Sequence, residues 1–180
     1  MIRARTVLEA WLQDRRGASV VEFAFVVPVL LVLYLVGYDA AEAVSAYRKL
    51  STTTVELANV TAQYATMGAT DVSNVFNASA QVMSPFSASN LEIVLSEITT
   101  DASSAATVTW SQAYNGGAAL TAGASVTLPS GLASPSTNYI LVQTTYSWTP
   151  PVAFGPIGTV PMSDQIYMLP RQSASIPYTG

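Results

Sequence analysis

The sequence predicts an α+β protein: a long N-terminal helix crossing a membrane and continuing as a stalk, a second amphipathic helix, and a small antiparallel β-sheet head. Three observations carry that prediction. No charged residue occurs from Phe23 to Tyr38, and some twenty helical residues at about 1.5 Å each span the roughly 30 Å of a bilayer's hydrocarbon. From Leu50 to Met83 apolar residues recur at three and four, the period of an amphipathic helix. After Pro85 the period falls to two, and helices followed by strands make an α+β head. The chain divides into a leader over 1–17, a transmembrane and stalk helix over 18–67, and a head over 68–180.

Composition narrows the function classes. Of 180 residues, 50% are hydrophobic and only 10% charged, against about a quarter in ordinary soluble domains. Beyond Lys49 the only basic residue is Arg171, set against Glu56, Asp71, Glu92, Glu97, Asp101 and Asp164. Such a surface cannot neutralise phosphates, which excludes nucleic acid as a partner. The chain has no cysteine and no histidine, so thiol chemistry, disulfides and the commonest general base and metal ligand are all missing. Neither a GxSxG, a Ser-x-x-Lys nor a phosphate loop occurs. No enzyme activity, cofactor or metal is expected. Asp71, Glu92, Glu97 and Asp101 lack EF-hand spacing and are expected on a solvated face.

The N-terminal element starts at an unusual junction, Arg15-Arg16-Gly17-Ala18-Ser19-Val20-Val21-Glu22-Phe23. A basic leader meets the apolar run there, with one carboxylate five residues past a glycine. An acid so placed is costly in lipid and marks function. Three readings fit the run. It is a secretory signal peptide cut near Ala41-Glu42-Ala43, a plain single-pass anchor, or a prepilin-type helix cut before the apolar run and retained. The apolar stretch exceeds the usual length of about 7–15 residues in a secretory signal, and a plain anchor leaves Glu22 unexplained. Arg3, Arg5, Arg15 and Arg16 before the helix favour a cytoplasmic N-terminus, though Glu9 and Asp14 partly offset them and Arg48 and Lys49 follow it. Thr6 to Leu12, with Trp11, forms either a short amphipathic surface turn or a solvated tail.

The string from Arg15 to Leu31 (Arg-Arg-Gly-Ala-Ser-Val-Val-Glu-Phe-Ala-Phe-Val-Val-Pro-Val-Leu-Leu) resembles the N-terminus of pseudopilins of the tight-adherence (Tad, or Flp) pilus, and among them the TadE/TadG-like group. The resemblance covers about residues 15–40. It implies that a prepilin peptidase cuts after Gly17, so that the mature chain begins at Ala18 with Glu22 as its fifth residue. It further implies other pilins or pseudopilins and the inner-membrane pilus assembly machinery as partners. The chain is then a minor pseudopilin of the bacterial inner membrane, its head extracytoplasmic, with incorporation into a surface pilus left open. Phe23 stands where the major Flp pilins usually have tyrosine, and those subunits are much shorter, which argues against a major pilin. The alternative is a single-pass membrane-anchored extracytoplasmic binding module.

Cleavage would expose a new α-ammonium on Ala18. Glu22 lies one helical turn from it and can pair with it or with a neighbour's amine, offsetting the desolvation of both ions. The resemblance favours the neighbour. The plainer alternative is that Glu22 complements the positive end of the helix at the membrane surface. Pro28 cannot donate to the Ala24 carbonyl, so a kink is expected there, with Gly37 a second soft point.

The remaining elements follow in order. Leu50, Leu57, Val60, Tyr64 and Met67 form the stalk's apolar stripe. Gly68 ends that pattern, and Thr70 or Asp71 is placed to cap the next helix, Asp71 to Ser84. Its stripe is Val72, Val75, Phe76, Ser79, Val82 and Met83, and Ser84-Pro85 stops it. Leu91, Ile93 and Leu95 alternate as a strand; Val108 and Trp110 share one face of another. Ala113 to Thr137 reads as loop. Tyr139 to Trp148 is the clearest strand, with Ile140, Val142, Thr144, Tyr146 and Trp148 on one face, and Tyr146 and Trp148 in the core. A connector rich in proline and glycine through Pro161, a last strand over Gln165–Leu169 and a tail from Pro170 complete the chain.

Overall fold

The computed structural model describes residues 17–152 and 158–180. The leader before Gly17, including the turn expected over Thr6–Leu12, lies outside the described residues, as does part of the expected connector, 153–157. The architecture is α+β: a long apolar N-terminal helix, a second helix, and a five-stranded antiparallel sheet.

Helix α1 runs from Ala18 to Thr61, 44 residues, or about 66 Å at 1.5 Å per residue. It carries through Pro28 and Gly37 as one assigned helix. From Asp39 onward one stripe is buried: Asp39, Ala46, Leu50, Thr53, Thr54, Leu57, Ala58 and Thr61. Two of its threonines fit this stripe because their hydroxyls are satisfied locally, whereas the buried Thr61 hydroxyl has no partner among the described residues. Thr53 and Thr54 donate to the Lys49 and Leu50 carbonyls, each at 2.9 Å. Val60, expected inside, is 41% exposed. The helix also ends short of Met67. Gln63 and Tyr64 donate to the Val60 and Thr61 carbonyls in tighter turns, and the Ala62 carbonyl accepts from the Arg171 N–H at 2.8 Å. The returning C-terminal segment thus supplies the acceptor's partner that a longer helix would have supplied.

Helix α2 spans Ala69–Val82 and buries Val72, Val75, Phe76, Ser79 and Ala80. Its cap is Gly68, in extended conformation, rather than Thr70 or Asp71. Asp71 instead reaches back, its Oδ2 accepting from the Gly68 N–H at 2.9 Å, which also places an acid at the helix's positive end. Phe76 meets Tyr114 at a centroid distance of 5.7 Å.

The strands are β1 (Leu91–Thr100), β2 (Ala106–Tyr114), β3 (Ser125–Val126), β4 (Asn138–Trp148) and β5 (Val160–Met168), ordered β3-β2-β1-β4-β5. The two-residue β3 falls in the segment expected to be loop. Strand β5 begins at Val160, inside the expected connector, because Pro161 is tolerated on an edge strand that needs no donor on its open side. One sheet face packs on both helices through Leu91, Ile93, Leu95, Trp110, Ile140, Val142, Tyr146 and Trp148. Each fully buried Leu or Ile side chain there contributes about 1.5–3 kcal/mol. The opposite face holds a smaller cluster, Ile98, Ala106, Val108, Tyr139 and Leu141, under Leu120, Val126, Leu128 and Leu132 of the long β2–β4 connection.

Val108 and Trp110 do not share a face, contrary to expectation. Glu97 pairs with Trp110 but Ile98 pairs with Val108, so Thr109 is an extra residue in the ladder. This β-bulge reverses the alternation. Trp110 therefore enters the helix-side core and Val108 the second cluster.

Candidate functional site

The residues singled out at the N-terminus stand together on the first two turns of α1. Gly17 precedes the helix at φ −77°, ψ −20° and gives it no side-chain cap. A Cβ added there would meet nothing within 4 Å. Ala18 is the first helical residue, and Glu22 is exposed. No acid lies in the first turn, so Glu22 sits past the zone where the helix dipole is strongest. The nearest described cation along the helix is Arg48, about 39 Å away at 1.5 Å per residue. No described side chain is therefore placed to pair with Glu22. An α-ammonium on Ala18 would lie one turn from it.

Around these residues α1 is bare. No residue of its most apolar stretch is buried. Phe25 is 75% and Tyr34 69% exposed. By length and composition this helix can cross a membrane. Pro28 is exposed within that stretch, and its missing N–H frees the Ala24 carbonyl.

Glu97 was expected on a solvated face. It is buried. Its position follows from its parity with Leu91, Ile93 and Leu95, which turns it toward the helices. The carboxylate is held by donors: Ile176 N–H to Oε1 at 2.7 Å and Trp110 Nε1–H to Oε2 at 3.0 Å. Trp110 Nε1 also donates to the Ile176 carbonyl at 2.8 Å. Burial pushes the Glu97 carboxyl above its usual range, and the hydrogen bonds from Ile176 and Trp110 oppose that shift. The arrangement fastens the C-terminal segment, so the expected free tail is corrected. Ile176 is fully buried, Tyr178 packs on Trp110 at 5.7 Å, and Met67 bridges in parallel to Tyr178.

The other acids take ordinary roles. Glu92 and Asp101 are exposed, and Asp101 orders the β1–β2 turn by accepting from the Ser103 hydroxyl, Ser103 N–H and Ala105 N–H. These three bonds lower its pKa. Asp39 is buried on α1, and its Oδ1 has no hydrogen-bond partner among the described residues. Among the described residues no three His, Cys, Asp or Glu side chains cluster as metal ligands. Tyr146 and Trp148 are core residues, each 4% exposed. No protein-family model, no curated protein and no solved structure matches the chain.

Proposed function

We propose that this chain is a non-enzymatic pilus assembly subunit, a minor pseudopilin of the tight-adherence (Tad/Flp) type. A prepilin peptidase cuts it after Gly17, and its N-terminal helix then enters a pilus or the initiation complex in the bacterial inner membrane. Its partners are other pilins or pseudopilins and the assembly machinery. The observation that supports this reading best is the division of α1. Its first half is apolar on every side and is not buried by any described part of the chain, yet it carries one acid a turn from the proposed new N-terminus.

Two further points favour it. The described residues place no demand for glycine at position 17, since a side chain there would meet none of their atoms within 4 Å, so a protease subsite accounts for that residue better than the described fold does. Glu22 has no described cation in reach, and a neighbour's α-ammonium supplies one. Burying that amine beside an uncharged residue would cost about 3–5 kcal/mol.

The test is N-terminal sequencing of the mature protein from membranes, together with Glu22→Gln as the cell's sole copy. Ala18 at the N-terminus is expected, with normal processing of Glu22→Gln and reduced co-purification with pilins and reduced piliation. Val44 or Ser45 at the N-terminus would establish a secretory signal peptide. An uncut chain, or full piliation by Glu22→Gln, would favour the anchored binding module.

A further inference from the structure

The sheet has a definite polarity along α1. The hydroxyls of Thr54 and Thr144 lie 2.6 Å apart and fix one level. At the far end, Arg171 Nη2 bonds Asn59 Oδ1 at 3.0 Å and lies 3.9 Å from Met168 Sδ, so β5 runs from the bilayer side at Val160 outward to Met168. From Thr144 to Trp148 is about 13 Å along an extended strand. The same distance down α1 from Thr54 reaches about Ala46, which shares the core cluster with Trp148. Pro150 and Pro151, just past Trp148, then lie level with about Asp39 to Ala43.

That level is not in bulk water. The outer surface of α1 stays free of exposed charge beyond Tyr38: Asp39 is buried, Glu42 half-buried, and Val44 and Tyr47 are exposed. The first exposed cation is Arg48. From Ala18 to Tyr47 this surface is about 45 Å long at 1.5 Å per residue, against about 30 Å of hydrocarbon and about 40–45 Å of bilayer with its headgroups. Its upper part therefore lies in the headgroup layer, where tyrosine and tryptophan concentrate.

The geometry points to a second membrane contact: the connecting end of the β4–β5 hairpin, formed among the described residues by Thr149, Pro151, Val160 and Pro161, rests in the headgroup layer of the leaflet that α1 leaves. Its surface suits that medium. These residues are exposed, and the chain carries no charge between Asp101 and Asp164. The occupant is lipid, so the head is held at two points instead of swinging on one helix. This inference rests on α1 spanning the bilayer.

The absence of cysteine makes the test direct. Single-cysteine variants Pro151→Cys and Val160→Cys of the full chain, nitroxide-labelled and reconstituted in phosphatidylcholine–phosphatidylglycerol vesicles, are compared with Leu30→Cys in the apolar half and Ala133→Cys at the far end. Oxygen reports lipid access and a nickel chelate reports water access. Labels at 151 and 160 are expected to show several-fold lower nickel access than the label at 133, with oxygen access between those of 133 and 30. Nickel access equal to that at 133 overturns the inference. Shielding from both reagents overturns it in favour of a protein neighbour. A nickel-accessible label at 30 overturns the spanning of α1 itself, and is distinguishable because only that outcome moves the reference position.

Discussion

The two halves of α1 share one backbone and obey different rules. From Ala18 to Tyr38 the helix is apolar on all sides, and no residue of that stretch is buried among the described residues. From Asp39 to Thr61 it buries one stripe, made largely of alanine and threonine beside Leu50 and Leu57, and exposes the rest. A helix hydrophobic all round belongs in lipid or a protein core, whereas an amphipathic one belongs on a sheet. Small and β-branched residues let the second half sit close to β4, with the Thr53 and Thr54 hydroxyls satisfied by the preceding turn. Hydrophobicity serves the environment in one half and shape in the other.

Substitutions can break this contrast. The largest effect on head stability is expected from Leu57→Ala, which opens a cavity in the core and should cost about 2–5 kcal/mol. Leu33→Ala, the same change in the bare half, should leave head unfolding within about 0.5 kcal/mol of the parent. Denaturant titration of the detergent-solubilised chain reads both. Equal losses would erase the distinction between the halves.

Next comes Glu97→Ala, which leaves the Ile176 N–H without its acceptor and should cost about 3 kcal/mol. Glu97→Gln sharpens the point through pH. The folded carboxyl titrates above its ordinary 4.5, so the folded state binds the proton more readily than the unfolded one. Ionised Glu97 therefore subtracts from stability at neutral pH, and the subtraction fades as pH falls through the raised value and is gone below 4.5. Stability of the parent relative to Glu97→Gln should rise from pH 7 toward pH 4.5. Parallel pH curves would remove the buried ionised carboxylate from the account.

Thr54→Val removes the hydroxyl contact with Thr144 and should cost about 1 kcal/mol. The paired change with Thr144→Val should recover part of that, since neither hydroxyl is then stranded. A loss as large as that of Leu57→Ala would mean that the threonine stripe does more than fill space. Glu22→Gln should be smallest of all for the head, within about 0.5 kcal/mol, because nothing described packs against it. A measurable loss would tie the two halves together energetically.

Much of this was legible in the residues. Long periods without charge, threes and fours, then twos, located both helices and the strands β1, β2 and β4. The bulge at Thr109 was not, because one unpaired residue leaves composition untouched while reversing every face beyond it. The C-terminal strap was hidden for a similar reason: Ile176 is one apolar residue in a polar stretch, and its burial depends on Trp110 and Glu97, far away in sequence. Glu97 itself was readable. It continues the parity of Leu91, Ile93 and Leu95, and the general habit of acids to seek water outweighed a pattern that pointed inward. The candidate assembly residues were visible from local spacing alone. The structure added that Gly17 and Glu22 meet no packing demand from the described residues.

Because α1 runs unbroken from the apolar stretch into the core, it acts as a shaft with a fixed phase. Each residue turns an α-helix by about 100° and lifts it about 1.5 Å. One alanine inserted between Tyr38 and Ala46 would rotate the whole sheet about a quarter-turn around the axis while changing its height only slightly. Four inserted residues would nearly restore the bearing at a higher station. With the sheet keyed to the buried stripe of α1 by its packing, the direction in which it faces relative to the apolar half is set by counting the residues between them.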